Sequence, residues 1–155
     1  EMGKVLLGVG NPLARDDGVG VWIAEHLQAP GWTAIPAYRA PENVLGKIAS
    51  LRPELLVVVD AAEMGLPPGE VRRLPVPAAR EMLGTTHGLP LPFILRFLQD
   101  AAGEVFFLGI QPREVGIGEG LSPEVKEGAL RILEALERGD LESIPLLGEG
   151  ISRST

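Results

Sequence analysis

Leu55 to Asp60 reads LLVVVD, and this stretch decides the fold. It is apolar without a break until its last residue, and it is rich in branched side chains. That composition belongs to a parallel strand covered on both faces, not to the alternating strand of a half-solvated sheet. Similar segments lie on either side. Lys4 to Gly10 (KVLLGVG) predicts a buried strand running into a glycine turn, Trp32 to Tyr38 a second strand, and Glu104 to Ile110 (EVFFLGI) another. Val71 to Val76 predicts a short strand, at an edge because prolines flank it.

Helical patterns fall between the strands. Val19, Trp22, Ile23 and Leu27 lie at helical spacing, with Asp16 or Asp17 as N-cap and Pro30-Gly31 as stop. Glu42 to Leu51 reads as a short helix. Leu89 to Ala101 carries an apolar stripe of Leu91, Leu95 and Leu98. Ser122-Pro123-Glu124 opens a last helix to about Arg138, with Ser122 as N-cap and Pro123 at the first helical position. Strands alternating with helices predict an α/β fold, a three-layer αβα sandwich around a mainly parallel twisted sheet. No internal repeat or linker interrupts the 155 residues, so one domain is expected over 1–155, fraying from about 148.

Bulk properties narrow the function. Hydrophobic residues make up 45% and aromatic ones only 5%, so the core is aliphatic. The formal net charge of −7, with no basic cluster larger than Arg72-Arg73, speaks against a nucleic-acid binder. No apolar run approaches the roughly 20 residues that span a bilayer, and the first residues do not read as a signal peptide. A cytoplasmic, monomeric protein without membrane insertion is expected. There is no cysteine, which excludes disulfides and thiolate metal sites.

The densest chemistry follows the first strand, in Gly8 to Gly20 (GVGNPLARDDGVG). A strand ending in G-x-G resembles half of a dinucleotide fingerprint, but position 13, where the third glycine belongs, is Leu13. The second expected strand ends in Ala37-Tyr38-Arg39, without the acid that binds a ribose. Asp16 and Asp17 at a helix start would also repel a pyrophosphate. A P-loop is excluded by the lack of G-K-S/T. One aspartate suffices to cap the helix, which leaves the other for chemistry.

Functional groups of open α/β sheets collect at the carboxyl ends of the strands. Asp17 follows the first strand and Asp60 closes the LLVVVD strand. His87 lies in Gly84 to Gly88 (GTTHG), just before a helix. Read singly, each has a plain structural role as a cap, loop hydrogen bond or packed imidazole. Together they offer two oxygen ligands and one nitrogen, a set suited to nickel, zinc or manganese with positions left open. The other histidine, His26, reads as a helix-surface residue. Neither Ser50 nor Ser122 sits in a nucleophile elbow, so a hydrolase built on this chain uses water as its nucleophile.

GVGNPLARDDGVG resembles the N-terminal motif of the [NiFe] hydrogenase maturation endopeptidases. The likeness continues through Ala40 to Asn43 (APEN), Leu55 to Arg72 (LLVVVDAAEMGLPPGEVR), Thr85 to Leu91 (TTHGLPL) and Gly103 to Pro112 (GEVFFLGIQP). It is closest to the branch that processes the hydrogenase-3, formate-hydrogenlyase-type large subunit. The resemblance implies a five-stranded sheet and maps the family's metal-binding and catalytic residues onto Asp17, Asp60 and His87. It implies an endopeptidase that removes the C-terminal extension of a nickel-loaded large-subunit precursor, with nickel presented by that precursor. Zinc or cadmium would fit the same site. Many relatives carry Glu where Asp17 stands, although the hydrogenase-3-like branch uses Asp. Arg113 to Gly120 (REVGIGEG) looks less like that branch.

Around these three residues, Gly8 and Gly10 are expected to offer backbone amides to an oxyanion. Asn11, Asp16 and Thr86 are expected to support the ligands, and Gln111 either to contact the substrate tail or to satisfy a loop. Two rivals remain at this level: activation by a tightly held zinc, and a nickel-dependent chaperone that binds the precursor without cutting it.

Overall fold

The computed structural model describes residues 3–75, 78–79 and 91–148. Five strands form one sheet: β1 (Lys4–Val9), β2 (Trp32–Tyr38), β3 (Leu55–Ala61), β4 (Val71–Arg73) and β5 (Glu104–Ile110). The helices are α1 (Val19–His26), α2 (Leu45–Leu51), α3 (Leu91–Ala101) and α4 (Pro123–Arg138). The order across the sheet is β2-β1-β3-β5-β4. The first four strands in that row are parallel, and β4 runs antiparallel to β5 at the edge.

The uninterrupted apolar run of β3 is explained by its place. Val57 and Val59 face a core shared with α1 and α4, where Ile23, Ala129, Ile132 and Leu136 are buried. Leu56 and Val58 face a second core with α2 and α3, where Ile48, Ile94, Leu95 and Leu98 are buried. The expected three-layer sandwich is therefore present. α4 starts on Pro123 and ends at Gly139, whose φ of 71° gives the left-handed cap.

Several expectations shift in detail. The strand expected over Val71 to Val76 is regular only to Arg73; Val76 lies outside the described residues. Its outer side is paired by the chain's own residues: Arg73 donates to the Pro145 carbonyl and receives the Leu147 amide. The segment expected as one helix from Glu42 is a 3-10 turn, Pro41–Val44, leading into α2. The helix expected from Leu89 is described from Leu91 onward.

Neither aspartate caps α1. Both lie in a 3-10 turn, Arg15–Gly18, and Gly18 is the N-cap residue with no side-chain cap bond. The second glycine pair packs that helix: a Cβ on Gly20 would run into the carbonyl oxygens of Val9 and Val59, and one on Gly8 into that of Gly20. Two glycines let α1 sit directly on β1 and β3.

Candidate active site

The connection from β1 leads outward to β2 on one side, and the chain later returns to β3 on the other. The carboxyl ends of β1 and β3 therefore border the point where strand order reverses, the place where open α/β sheets form a crevice. Asp17 comes from the loop after β1, and Asp60 is the penultimate residue of β3.

Gly10 lies between them. A Cβ there would strike the Asp17 carbonyl oxygen and approach Asp60 Oδ1 to 3.3 Å. Its φ of 140° is also a conformation that side chains disfavour. The glycine thus allows the two aspartate-bearing segments to approach. A register shift between Gly8 and Val9 brings the Tyr38 carbonyl round to accept the Gly10 amide at 2.7 Å. That amide is consumed, and Gly8 is a packing residue inside the sheet. The Gly10 amide is therefore not open for the oxyanion role expected of it.

Asp60 is 5% exposed. Its Oδ1 accepts the Ala61 amide at 2.7 Å, its one recorded hydrogen bond among the described residues. Burial pushes its carboxyl well above the ordinary range, and the nearby charge of Asp17 pushes the same way; the Ala61 amide opposes both. Asp17 is half-buried. Burial raises its carboxyl too, against the Asn11 amide and the positive charge of Arg39. Asn11 donates its amide to Asp17 Oδ2 at 3.1 Å while its Oδ1 accepts the Leu13 amide, also at 3.1 Å. It therefore braces the loop that carries Asp17.

Two neighbouring carboxylates, one of them buried, repel each other unless a proton or a cation lies between them. Each has one oxygen without a recorded partner among the described residues. That pair of oxygen donors fits a divalent cation. Among the described residues no group of three candidate ligands assembles. His87 and Thr86 lie outside the described residues.

Asp16 has the opposite surroundings. It is wholly buried and receives four hydrogen bonds. Its Oδ2 accepts the amides of Arg113 (2.9 Å) and Glu114 (2.8 Å) and the Ser122 hydroxyl (2.7 Å), and its Oδ1 accepts the Ser122 amide (2.7 Å). Burial pushes its carboxyl up, but the donors of Ser122, Glu114 and Arg113 together outweigh burial and hold it below the usual range. Ser122 stands at the N-cap position of α4 but spends its hydroxyl on Asp16, so the capping bond expected of it is absent.

The comparisons decide the family. Residues 22–138 match the model described as hydrogenase maturation protease. The chain belongs to the hydrogenase maturation proteases. The hydrogenase 3 maturation protease of Escherichia coli K12 is 41% identical over 140 residues, covering 88% of this chain and 90% of that one. A crystal structure of the hydrogenase 3 maturation protease superposes with a TM-score of 0.85 at 37% identity, covering 95% of this chain and 97% of that one. A [NiFe] hydrogenase maturation protease HycI from Thermococcus kodakarensis gives 0.74 at 31% identity, over 90% and 92%.

The protease is thus a peptide-bond hydrolase, and its sheet matches that family's. Gln111, at the end of β5, is 4% exposed and fully used. Its Oε1 accepts the Met64 and Leu66 amides, and its Nε2 donates to Glu63 and the Pro112 carbonyl. Of the two roles open to it, the loop role holds. Sequence reading missed the protease's Arg39, whose charge acts on Asp17. It also passed over Glu42, which has a buried carboxylate oxygen without a partner among the described residues. Arg39 directly precedes, and Glu42 lies within, the Ala40 to Asn43 stretch already marked by the family likeness. His26 is exposed at the end of α1 and stacks on Trp22, as a surface residue should.

Proposed function

We propose that this protease removes the C-terminal extension of a nickel-loaded [NiFe] hydrogenase large-subunit precursor, with Asp17 and Asp60 at the cutting site. The observation that carries the reading is the pair of carboxylates brought together across Gly10 at the reversal point of the sheet. In this reading nickel enters as part of the substrate. Asp17, Asp60 and His87 are the groups that reach it, and zinc or cadmium would bind the same donors. A divalent ion at the two carboxylates would supply Lewis acidity and offset their mutual repulsion.

The chain's own chemistry then follows. Asp60, whose second carboxylate oxygen is taken by no described residue, is placed to take a proton from the attacking water. The water oxygen adds to the scissile carbonyl carbon. When the carbon–nitrogen bond breaks, the proton passes to the departing amine. Asn11 holds Asp17 in place throughout.

The test is the intact mass of the cognate precursor after incubation with the wild-type protein and with His87→Ala, with and without nickel loading. The expected result is loss of a short C-terminal peptide only with nickel and the wild-type protein. Binding without any mass loss would sink the endopeptidase and favour the chaperone.

A further inference from the structure

Asp16 and Asp17 are neighbours in sequence but serve different sites, and that division gives the loop Arg113 to Ser122 a role. The loop is bolted to the ligand loop. Besides the four bonds to the Asp16 carboxylate, the Asp16 amide donates to the Glu114 carbonyl (3.0 Å), the Gly118 amide to the Leu13 carbonyl (2.9 Å), and the Arg15 amide to the Gly118 carbonyl (2.9 Å). Despite this pinning, the two loops hold three large apolar side chains in solvent. Leu13 is 62% exposed, Val115 58% and Ile117 97%. Exposed apolar groups gathered on loops tied together by these hydrogen bonds mark a surface for contact with something else.

We propose that Leu13, Val115 and Ile117 form a preset apolar surface that receives the precursor polypeptide beside the scissile bond and sets which precursor is accepted. This rests on the protease reading above. The occupant follows from continuity with the cutting site. Asn11 links the two directly, its amide on Asp17 Oδ2 and its Oδ1 on the Leu13 amide. In this proposal a chain seated on Asp17 continues over Leu13 and the loop tied to it. A second copy of the protein placed there would obstruct the edge that the precursor must reach.

The test compares wild type, Ile117→Glu, Ile117→Leu and, as a control on the back of α4, Leu130→Glu, which changes a side chain 50% exposed. Cleavage kinetics and direct titration are run with nickel-loaded precursor, and the mass of each variant is measured by sedimentation. Ile117→Glu is expected to raise KM and Kd about tenfold or more, with kcat within about twofold. Ile117→Leu should restore both, and Leu130→Glu should change neither. Unchanged KM and Kd in Ile117→Glu would overturn the surface while leaving the protease intact. So would a wild-type dimer that this substitution splits. If wild type binds the precursor without cutting it and Ile117→Glu weakens that binding, the surface stands and the protease reading falls. If wild type neither binds nor cuts, both fall.

Discussion

At the scale of single residues, the adjacent aspartates show how surroundings divide one chemistry into two. Asp16 is saturated with donors, whereas Asp60 and Asp17 are short of them. Asp16→Ala takes the acceptor from three amides and a hydroxyl, and we expect it to destabilise the fold by about 3 kcal/mol in urea titration. The Arg113, Glu114 and Ser122 amides should then exchange faster with solvent.

Asp60→Asn should behave in the reverse sense. It removes a buried charge, so the melting temperature should hold or rise, while cleavage should drop about a hundredfold or more. Its pH dependence has a definite sign. The folded carboxyl binds its proton more tightly than the unfolded one, so the folded chain carries the extra proton in the window above the ordinary carboxyl range. Stability of the metal-free protein should therefore fall as pH rises through that window, and the fall should shrink in Asp60→Asn to the part that the raised Asp17 carboxyl contributes. Asp16 runs the other way: its folded carboxyl is depressed, so its contribution is present above the ordinary range and lost as pH falls through the folded value.

At the scale of elements, β3 was legible because a strand covered on both faces has no polar positions to confuse its period. The positions of Asp17 and Asp60 followed from it. The capping of α1 was misread because two acids before an apolar period are a normal helix start, and nothing local reveals that Asp16 turns inward to a loop near position 113. That contact spans about a hundred residues of chain and leaves no mark in either segment. Gly8 and Gly10 were read as anion-binding glycines for the same reason: a glycine needed for close packing looks like a glycine needed for an exposed amide. Gly20→Ala tests the packing role directly. It should cost about 3 kcal/mol by wedging α1 away from the sheet, an overpacking penalty visible in thermal unfolding. An equivalent change at Gly46, where a Cβ meets nothing within 4 Å, should be tolerated.

At the scale of the whole molecule, strand order decides where chemistry collects, since one carboxylate comes from the loop after β1 and the other from the end of β3, the two strands bordering the reversal point. In the proposed reading, a divalent ion held there would tie that loop to β3. Adding nickel or zinc to the metal-free protein should raise its melting temperature in a concentration-dependent way, and Asp17→Asn or Asp60→Asn should remove the response. No helix among the described residues is long and apolar enough to cross a membrane.

The pairing of Arg73 with Pro145 and Leu147 has one more consequence. An open sheet rim is a template on which extended peptides, including those of misfolded neighbours, can add themselves. At β4 the chain's own tail segment already occupies the hydrogen-bonding groups of Arg73. At the opposite rim, Pro36 deprives β2 of one donor. A flexible substrate tail therefore cannot be captured at the β4 rim as a sixth strand without displacing 145–147, and fibril-like growth from that rim meets the same obstacle.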